Sequence, residues 1–357
     1  MIKELTYITL ILVLLASCED IYHPKIDTVE GHLIVESLIT NDPNQNYVHL
    51  TKGTSFYDQN PSDGVPGAIV TLVDGAGNIT KGTESSSGTF HFNIVPSPGT
   101  SYKLQIIYNS DTYESEAVTM PPLPHLINFN TERVEKVEYQ NDGFGNPVPV
   151  TVVARELYAD VPVTPTLSYY RFGMRSILEW YYTPPLTGPL SANQSTVYGW
   201  LSVYYNDKYN IAGPDKFSLS DQIEKHPLVR LPYGTIQYIK PDSTFSGWIF
   251  ILDQYGTSQQ SYDYHDQLNS QFSATGTLFD PIQTQVEGNI TCKTDPTKKT
   301  YGYFDLNSYR QYRYYLYFTN PEPEGSITVR EITRYPTIPG EGQTTNYPPL
   351  WWEYGAQ

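Results

Sequence analysis

The sequence predicts a mainly β protein, in which an amino-terminal β-sandwich is followed by a larger β-rich domain with one short amphipathic helix. Short runs of β-branched and aromatic residues alternate with clusters of Asn, Asp, Gly and Pro along most of the chain, which is the pattern of strands and turns. The 357 residues include 32 Tyr and 28 Pro, which suit half-buried strands and their turns or edges. A helical spacing of apolar residues occurs in one stretch only.

The chain begins with the three parts of a bacterial lipoprotein signal peptide. Lys3 gives a positive start, Leu5 to Leu15 forms a short apolar run, and Leu15-Ala16-Ser17-Cys18 follows as a lipobox. The alternative is a transmembrane helix, but the run is shorter than the ~20 residues that a bilayer core needs. Residues 1–17 are therefore predicted to be removed, and Cys18 to carry the acyl chains that hold the protein at a membrane.

Residues 18–30 are predicted to be a lipidated polar tether. Glu19-Asp20 directly follows the cysteine and resembles the acidic tag of lipoproteins that reach the outer face of the outer membrane. We therefore expect a lipid-anchored outer-membrane protein on the cell-surface face, with the periplasmic face as the alternative. The net charge of −16 argues against nucleic acid as a partner, because binding it requires a basic surface.

Residues 31–122 are predicted to form the sandwich, because strand-like runs and turn signals alternate at intervals of about 8–12 residues. Asp74-Gly75-Ala76-Gly77-Asn78 closes a hairpin, and the prolines of Met120-Pro121-Pro122-Leu123-Pro124 form a stiff linker. Val65-Pro66-Gly67-Ala68 and Gly88-Thr89-Phe90 resemble segments of immunoglobulin-like or transthyretin-like modules, which implies a spacer or docking unit. The predicted strands are His32–Ile39, Tyr47–Thr51, Gly67–Val73, Gly88–Phe92, Ser101–Tyr108 and Thr112–Thr119.

Residues 123–357 are predicted to form the larger β-rich domain. Asn141 to Asn146 is expected to be a turn between two of its strands. The predicted strands are Leu126–Phe129, Arg133–Tyr139, Val148–Leu157, Ser168–Leu178, Tyr198–Tyr205, Thr235–Ile239, Gly247–Leu252 and Tyr312–Thr319.

The predicted helix follows the capping box Thr257-Ser258-Gln259-Gln260. Tyr264, Leu268 and Phe272 recur every four residues and are expected to pack on the sheet as one apolar stripe, rather than to bind a partner. Gly276 stands where the helix should end.

Motifs that carry catalytic chemistry are absent from the sequence. No Gly-x-Ser-x-Gly elbow, paired zinc-binding histidines or phosphate-binding loop occurs, so we assign no catalytic residue, no metal site and no cofactor besides the lipid. Cys18 is consumed by acylation, which leaves Cys292 as either a buried or a reactive thiol, and its place after a strand-like run favours burial. Trp351 and Trp352 follow the last predicted strand and are either a terminal plug or a contact for a ligand or partner.

Three segments after the helix carry a family resemblance. In their order and spacing, Gly276 to Pro281, Gln285 to Ile290 and Tyr301 to Phe304 resemble the domain of unknown function 4249 family of Bacteroidota-type envelope lipoproteins. The resemblance implies pairing with a TonB-dependent outer-membrane transporter in nutrient uptake, and it supplies no catalytic residues. Read physically, the segments have turn and close-packing roles rather than contacts with a ligand, and Gly302 is suited to a bulge or a close backbone approach.

The hypothesis that follows is a non-enzymatic outer-membrane lipoprotein that is an accessory or capping partner of a TonB-dependent barrel protein. One alternative is a stand-alone surface adhesin that binds glycan or peptide through exposed aromatic residues. A second alternative is a hydrolase with an unrecognised site. The nutrient, the identity of the partner and the stoichiometry are not indicated by the sequence.

Overall fold

The computed structural model describes residues 31–54, 64–182, 197–205, 208–214, 220–232, 244–273, 286–318, 327–331 and 344–345. These residues form strands and one helix, α1 (Gln259–Phe272), which confirms the mainly β prediction. Among them, no helix combines the length and the apolar character needed to span a membrane.

The strands of the amino-terminal part match the predicted ones closely and add three short strands. In chain order they are β1 (Leu33–Leu38), β2 (Tyr47–Lys52), β3 (Ile69–Asp74), β4 (Ile79–Lys81), β5 (Thr83–Ser86), β6 (Thr89–His91), β7 (Ser101–Tyr108), β8 (Asp111–Ser115) and β9 (Val118–Thr119).

The remaining strands include several that are longer than predicted. They are β10 (Asn128–Asn141), β11 (Pro147–Pro162), β12 (Tyr169–Tyr182), β13 (Val197–Tyr204), β14 (Asn210–Ala212), β15 (Gln222–Pro232), β16 (Thr244–Thr257), β17 (Ile290–Cys292), β18 (Thr300–Tyr303), β19 (Ser308–Phe318), β20 (Ile327–Glu331) and β21 (Thr344–Thr345). The predicted strand Arg133–Tyr139 and the last two residues of the predicted strand Leu126–Phe129 belong to the single strand β10. The predicted strand Thr235–Ile239 lies outside the described residues.

Two sheets form the amino-terminal sandwich, with strand orders β18-β1-β2-β6-β5 and β17-β8-β7-β3-β4, and β9 pairs with β7. Their inward faces meet in one apolar core, because alternate residues of each strand point to the same side. In β1, for example, Leu33 and Val35 are buried while Glu36 is exposed. The large fully buried side chains of this core include Leu50, Leu72, Phe92, Leu104 and Ile106.

Strands from far along the chain complete both sheets of this sandwich. β18 pairs in parallel with β1, in a register that sets Leu33 beside Thr300 and Glu36 beside Tyr303. β17 pairs antiparallel with β8 at the edge of the other sheet. The predicted range for the sandwich, residues 31–122, does not contain these strands, and the predicted boundary after residue 122 stays a prediction.

The second part of the chain contains two further sheets. One has the order β20-β19-β16-β12-β13-β21, with β14 paired to β12, and the other has the order β10-β11-β15. The long strands β12 and β16 lie side by side over most of their length. Tyr170, Trp200, Phe250 and Leu252 are buried in the cores around them.

Helix α1 differs from the prediction in its cap and in the face that it buries. Ser258, not Thr257, is the N-cap, and its side chain accepts a hydrogen bond from the Ser261 amide. Thr257 is the last residue of β16 and is buried. The helix ends at Phe272 with Ser273 as its C-cap, and Gly276 lies outside the described residues.

The predicted apolar stripe of α1 is only partly correct. Tyr264 stacks on Tyr303 of the sandwich at 4.7 Å between ring centroids, but Phe272 is 65 % exposed. The buried residues of the helix are Ser261 and His265, and Ser261 donates a hydrogen bond to Asp305 beneath the helix. The face that packs is therefore defined by hydrogen bonds as much as by apolar area.

Candidate functional site

The residues predicted from the sequence to be functional fall mostly outside the described residues. Cys18, Trp351 and Trp352 do so, as do all the residues from Gly276 to Gln285. Cys292 is described and is 3 % exposed, which confirms its predicted burial. Its Sγ lies 3.3 Å from Thr294 Oγ1.

The close backbone approach predicted at Gly302 is confirmed. Gly302 has φ +91°, and a Cβ atom there would stand 1.9 Å from the Val35 carbonyl oxygen. Gly288 lies equally close to the Gly302 carbonyl oxygen, at 1.7 Å from its own hypothetical Cβ. These segments therefore have a structural role, which is to seat β18 against β1.

A cluster of buried polar residues lies where the sandwich, helix α1 and strand β12 meet. We call Arg171, Ser261, His265 and Asp305 the junction cluster. Arg171 Nη2 lies 3.2 Å from Asp305 Oδ2, and Ser261 Oγ donates to Asp305 Oδ1 at 2.7 Å. The Arg171 guanidinium also covers the Tyr255 ring at 4.6 Å from its centroid.

The junction cluster contains the residue types of a hydrolytic triad, but not its geometry. In such a triad the serine donates to a histidine, which a carboxylate orients. Here Ser261 Oγ donates to the carboxylate instead, and His265 Nδ1 lies 2.7 Å from the Ser261 carbonyl oxygen. A carbonyl oxygen only accepts hydrogen bonds, so Nδ1 carries the proton and cannot accept one from Ser261 Oγ. Ser261 is also 2 % exposed, so this cluster has the chemistry of a structural clamp.

Burial lowers the pKa of the His265 imidazole, with Asp305 acting in the opposite direction. The uncharged ring is held edge-on against Tyr209 at 4.5 Å between centroids. The sequence contains one signal that could have found this arrangement, because Ser261 and His265 are four residues apart on a helix and therefore share a face. No sequence signal joins them to Arg171 and Asp305, which lie on other elements.

A second polar group lies on the adjoining strands β12, β16 and β19. Asp253 accepts hydrogen bonds from Arg175 Nη1 at 2.6 Å, from the Tyr309 hydroxyl at 2.6 Å and from Gln311 Nε2 at 2.7 Å. Burial, followed by the charge of Asp253, raises the pKa of Tyr309 far above its ordinary value. The tyrosine therefore stays protonated and acts as a hydrogen-bond donor.

His226 gives a testable pH dependence. Its ring stacks on Phe172, and its Nε2 lies 2.7 Å from Asn210 Oδ1. Burial lowers its pKa from 6.5 to about 4, so between these values the unfolded chain binds the proton and the folded chain does not. His226 should therefore lower the free energy of unfolding as the pH falls from about 6.5 to about 4.

The variant His226→Gln tests this pH dependence. We expect its thermal midpoint, measured by circular dichroism, to decrease less over this pH range than that of the parent protein. Equal decreases in the two proteins would contradict the lowered pKa of His226.

The described part of the chain offers little support for a metal site or for a pocket that holds a small-molecule ligand. No group of three or more His, Cys, Asp or Glu residues is placed there to hold a metal ion. A cavity of about 250 Å³ lies beside Val163, Gln222 and Glu224, which is smaller than a typical ligand pocket of about 300–1,000 Å³.

Comparison with known proteins gives a family but no named relative. The model of a family described as a domain of unknown function, DUF4249, matches residues 19–313. No curated protein and no solved structure matches the chain. The matched region includes the sandwich, the helix and all four residues of the junction cluster, and it spans most of the sequence. The chain therefore belongs to the domain of unknown function 4249 family.

Proposed function

We propose that this protein is a non-enzymatic lipoprotein of the outer membrane, exposed at the cell surface, which acts as an accessory or capping partner of a TonB-dependent transporter in nutrient uptake. The observation that carries the proposal is the lipobox Leu15-Ala16-Ser17-Cys18 after a short apolar run. The pairing with a transporter rests on the resemblance of the chain to envelope lipoproteins of its family.

The buried polar residues support a binding role over a catalytic one. Asp305 and Asp253 are both engaged in ion pairs and hydrogen bonds that join different elements. The bonds of Asp305 join the end of β18 to β12 and α1, whereas those of Asp253 join neighbouring strands of one sheet, and both carboxylates are occupied by them. Elements fixed to one another by such bonds suit a protein that binds a partner with little change in its backbone.

Lipidation is tested by replacing the acylated cysteine. Cys18→Ala removes the thiol that carries the acyl chains, each methylene of which contributes about 0.8 kcal/mol to membrane affinity. We expect loss of label from an alkyne fatty acid and loss of the protein from the outer-membrane fraction. Cys292→Ala is the matched control and should keep both, because this thiol is buried. Persistent labelling of Cys18→Ala would contradict the proposal.

The transporter partner is tested by affinity purification from detergent-solubilised outer membranes. We expect a TonB-dependent barrel protein to be recovered with the tagged, acylated chain and to be identified by mass spectrometry. Recovery of the acylated chain without a barrel protein would count against the proposal.

If the protein instead bound a polysaccharide array, and Trp351→Ala/Trp352→Ala abolished that binding, a stand-alone adhesin would be favoured. Protease treatment of intact cells tests the surface location.

A further inference from the structure

The most exposed apolar feature of the described structure is the end of the β10–β11 hairpin. The two strands pair without interruption from Asn128 and Asp160 to Asn141 and Pro147. β15 accompanies β11 only as far as Ala154, so the described sheet is two-stranded beyond that point. At about 3.4 Å per residue, the ribbon from Glu135 to Asn141 extends roughly 20 Å. Its turn carries Phe144, which is 93 % exposed.

The turn at the end of this hairpin occurs a second time in the molecule without the aromatic residue. Asp142-Gly143-Phe144-Gly145-Asn146 joins β10 to β11, and Asp74-Gly75-Ala76-Gly77-Asn78 joins β3 to β4. In both turns the aspartate carboxylate accepts from the amides two and four residues later, at 2.8–2.9 Å. The second glycine has φ +85° in one and +87° in the other.

This repetition separates the requirements of the turn from the role of the phenyl ring. Ala76 stands where Phe144 does, and the backbone hydrogen bonds are the same. The turn therefore forms equally well without an aromatic residue at its centre. Folding of the turn therefore does not account for the exposed phenyl ring, and such a ring offers a large apolar area for contact with another molecule.

We call residues 139–149 the hairpin tip, which carries one charged side chain and the exposed amide side chains of Gln140, Asn141 and Asn146 beside its apolar residues. Tyr139 and Val148 are exposed beside Phe144. Asp142 carries the only charge, and it accepts hydrogen bonds from the backbone and side chain of Asn146. Charged residues begin directly below the tip, where Glu138 pairs with Arg230 at 2.5 Å.

The backbone of the hairpin tip is suited to leaving water. The amides of Phe144 and Asn146 donate to the Asp142 carboxylate, and the Gly145 amide donates to the Asp142 carbonyl. Pro147 and Pro149 have no amide proton to satisfy. These backbone amides would therefore keep their hydrogen bonds in an apolar medium, where each unsatisfied group is costly.

The charge distribution and the tether favour a bilayer as the occupant. Residues 18–30 span at most about 45 Å when extended, so the acyl chains of the proposed function keep residue 31 within that distance of a bilayer. The tip lacks the basic residues that recognise phosphate or acidic surfaces, and an aromatic residue beside apolar ones is typical of membrane interfaces.

We propose that the hairpin tip inserts into the interface of a zwitterionic phospholipid bilayer, with Phe144 as its most deeply buried residue. The inference rests on the proposed lipid anchor and adds a second point of contact. Together the acyl chains and the tip would hold the body in one orientation relative to the membrane surface.

The test uses the acylated mature protein on phosphatidylcholine vesicles at low protein density. An environment-sensitive dye is attached to Gln140→Cys, since acylation blocks Cys18 and burial protects Cys292. We expect nitroxide-labelled lipid to quench the dye when Phe144 is present. Phe144→Ala gives the tip the same sequence as the turn Asp74-Gly75-Ala76-Gly77-Asn78, which we call the sandwich turn. This variant should reduce the membrane-inserted fraction about tenfold or more, the factor expected from burying one phenyl ring.

A dye at Lys81→Cys, beside the sandwich turn, is the matched control and should respond only to aqueous iodide. A mass spectrum without acyl chains would contradict the proposed function and remove the tether on which this inference rests. An acylated, vesicle-bound protein whose Gln140→Cys dye responds only to iodide would overturn the inference alone. Protection of the dye only in native outer membranes, or only at high protein density, would also overturn it, because the tip would then contact another protein or a second copy.

Discussion

Replacing Asp305 with alanine is expected to lower the free energy of unfolding by about 3–5 kcal/mol, the usual effect of removing one partner of a buried ion pair. Asp305 is 4 % exposed, and its carboxylate binds both Arg171 and Ser261. Its loss leaves the Arg171 guanidinium half-enclosed without a counter-charge, and the Ser261 hydroxyl without an acceptor. Urea denaturation followed by intrinsic fluorescence measures the change.

Two controls separate the ion pair from a general effect of substitution. Arg171→Met in the Asp305→Ala background should recover part of the stability, because it removes the uncompensated charge. Lys103→Ala removes a more exposed ion pair with Glu114, and such pairs contribute only about 0–1 kcal/mol. If Asp305→Ala were no less stable than Lys103→Ala, the junction cluster would not be the clamp described here.

Replacing Gly302 with alanine is expected to lower the free energy of unfolding by more than about 4 kcal/mol, a range reserved for severe structural damage. The added Cβ would stand 1.9 Å from the Val35 carbonyl oxygen and 2.7 Å from its carbon. Both are backbone atoms of β1, so no side chain can rotate away to make space. Strand β18 would have to separate from β1, and thermal unfolding should report the loss.

Gly99→Ala is the matched control for backbone strain. Gly99 also has a positive φ, +82°, but nothing lies within 4 Å of its added Cβ. The free energy of unfolding of this variant should fall only by the cost of the backbone strain, about 1–3 kcal/mol. Equal effects at the two glycines would mean that β18 is not held as tightly against β1 as the geometry indicates.

The sequence was most informative where structure depends on neighbours in the chain. Both Asp-Gly-x-Gly-Asn turns were predicted, because their aspartate binds amides only two and four residues away. The strands β1, β2, β3, β6 and β7 and the start of α1 were also predicted within one or two residues, whereas the predicted strand Thr112–Thr119 is divided into β8 and β9. Alternation of apolar residues and hydroxyl caps are local signals, so a single sequence carries them.

Features that depend on distant parts of the chain were not predicted. β17 is three residues long and β18 is four. Neither has a residue pattern that indicates which strand it pairs with. The buried face of α1 was predicted wrongly, because Tyr264, Leu268 and Phe272 form the most apolar stripe of the helix. The structure instead buries Ser261, which donates a hydrogen bond to Asp305. Arg171 and Asp305 are 134 positions apart, and nothing in their local sequence joins them.

The edge strands at which the sandwich is closed have a consequence for biosynthesis. Contacts such as that between His32 and Lys299 join positions 267 residues apart, so the first sheet cannot be completed until most of the polypeptide has emerged. Until then β1 and β8 present open edges that can pair with other chains. We therefore expect the nascent protein to depend on chaperones until β17 and β18 have been made, and a fragment that stops before β17 to aggregate.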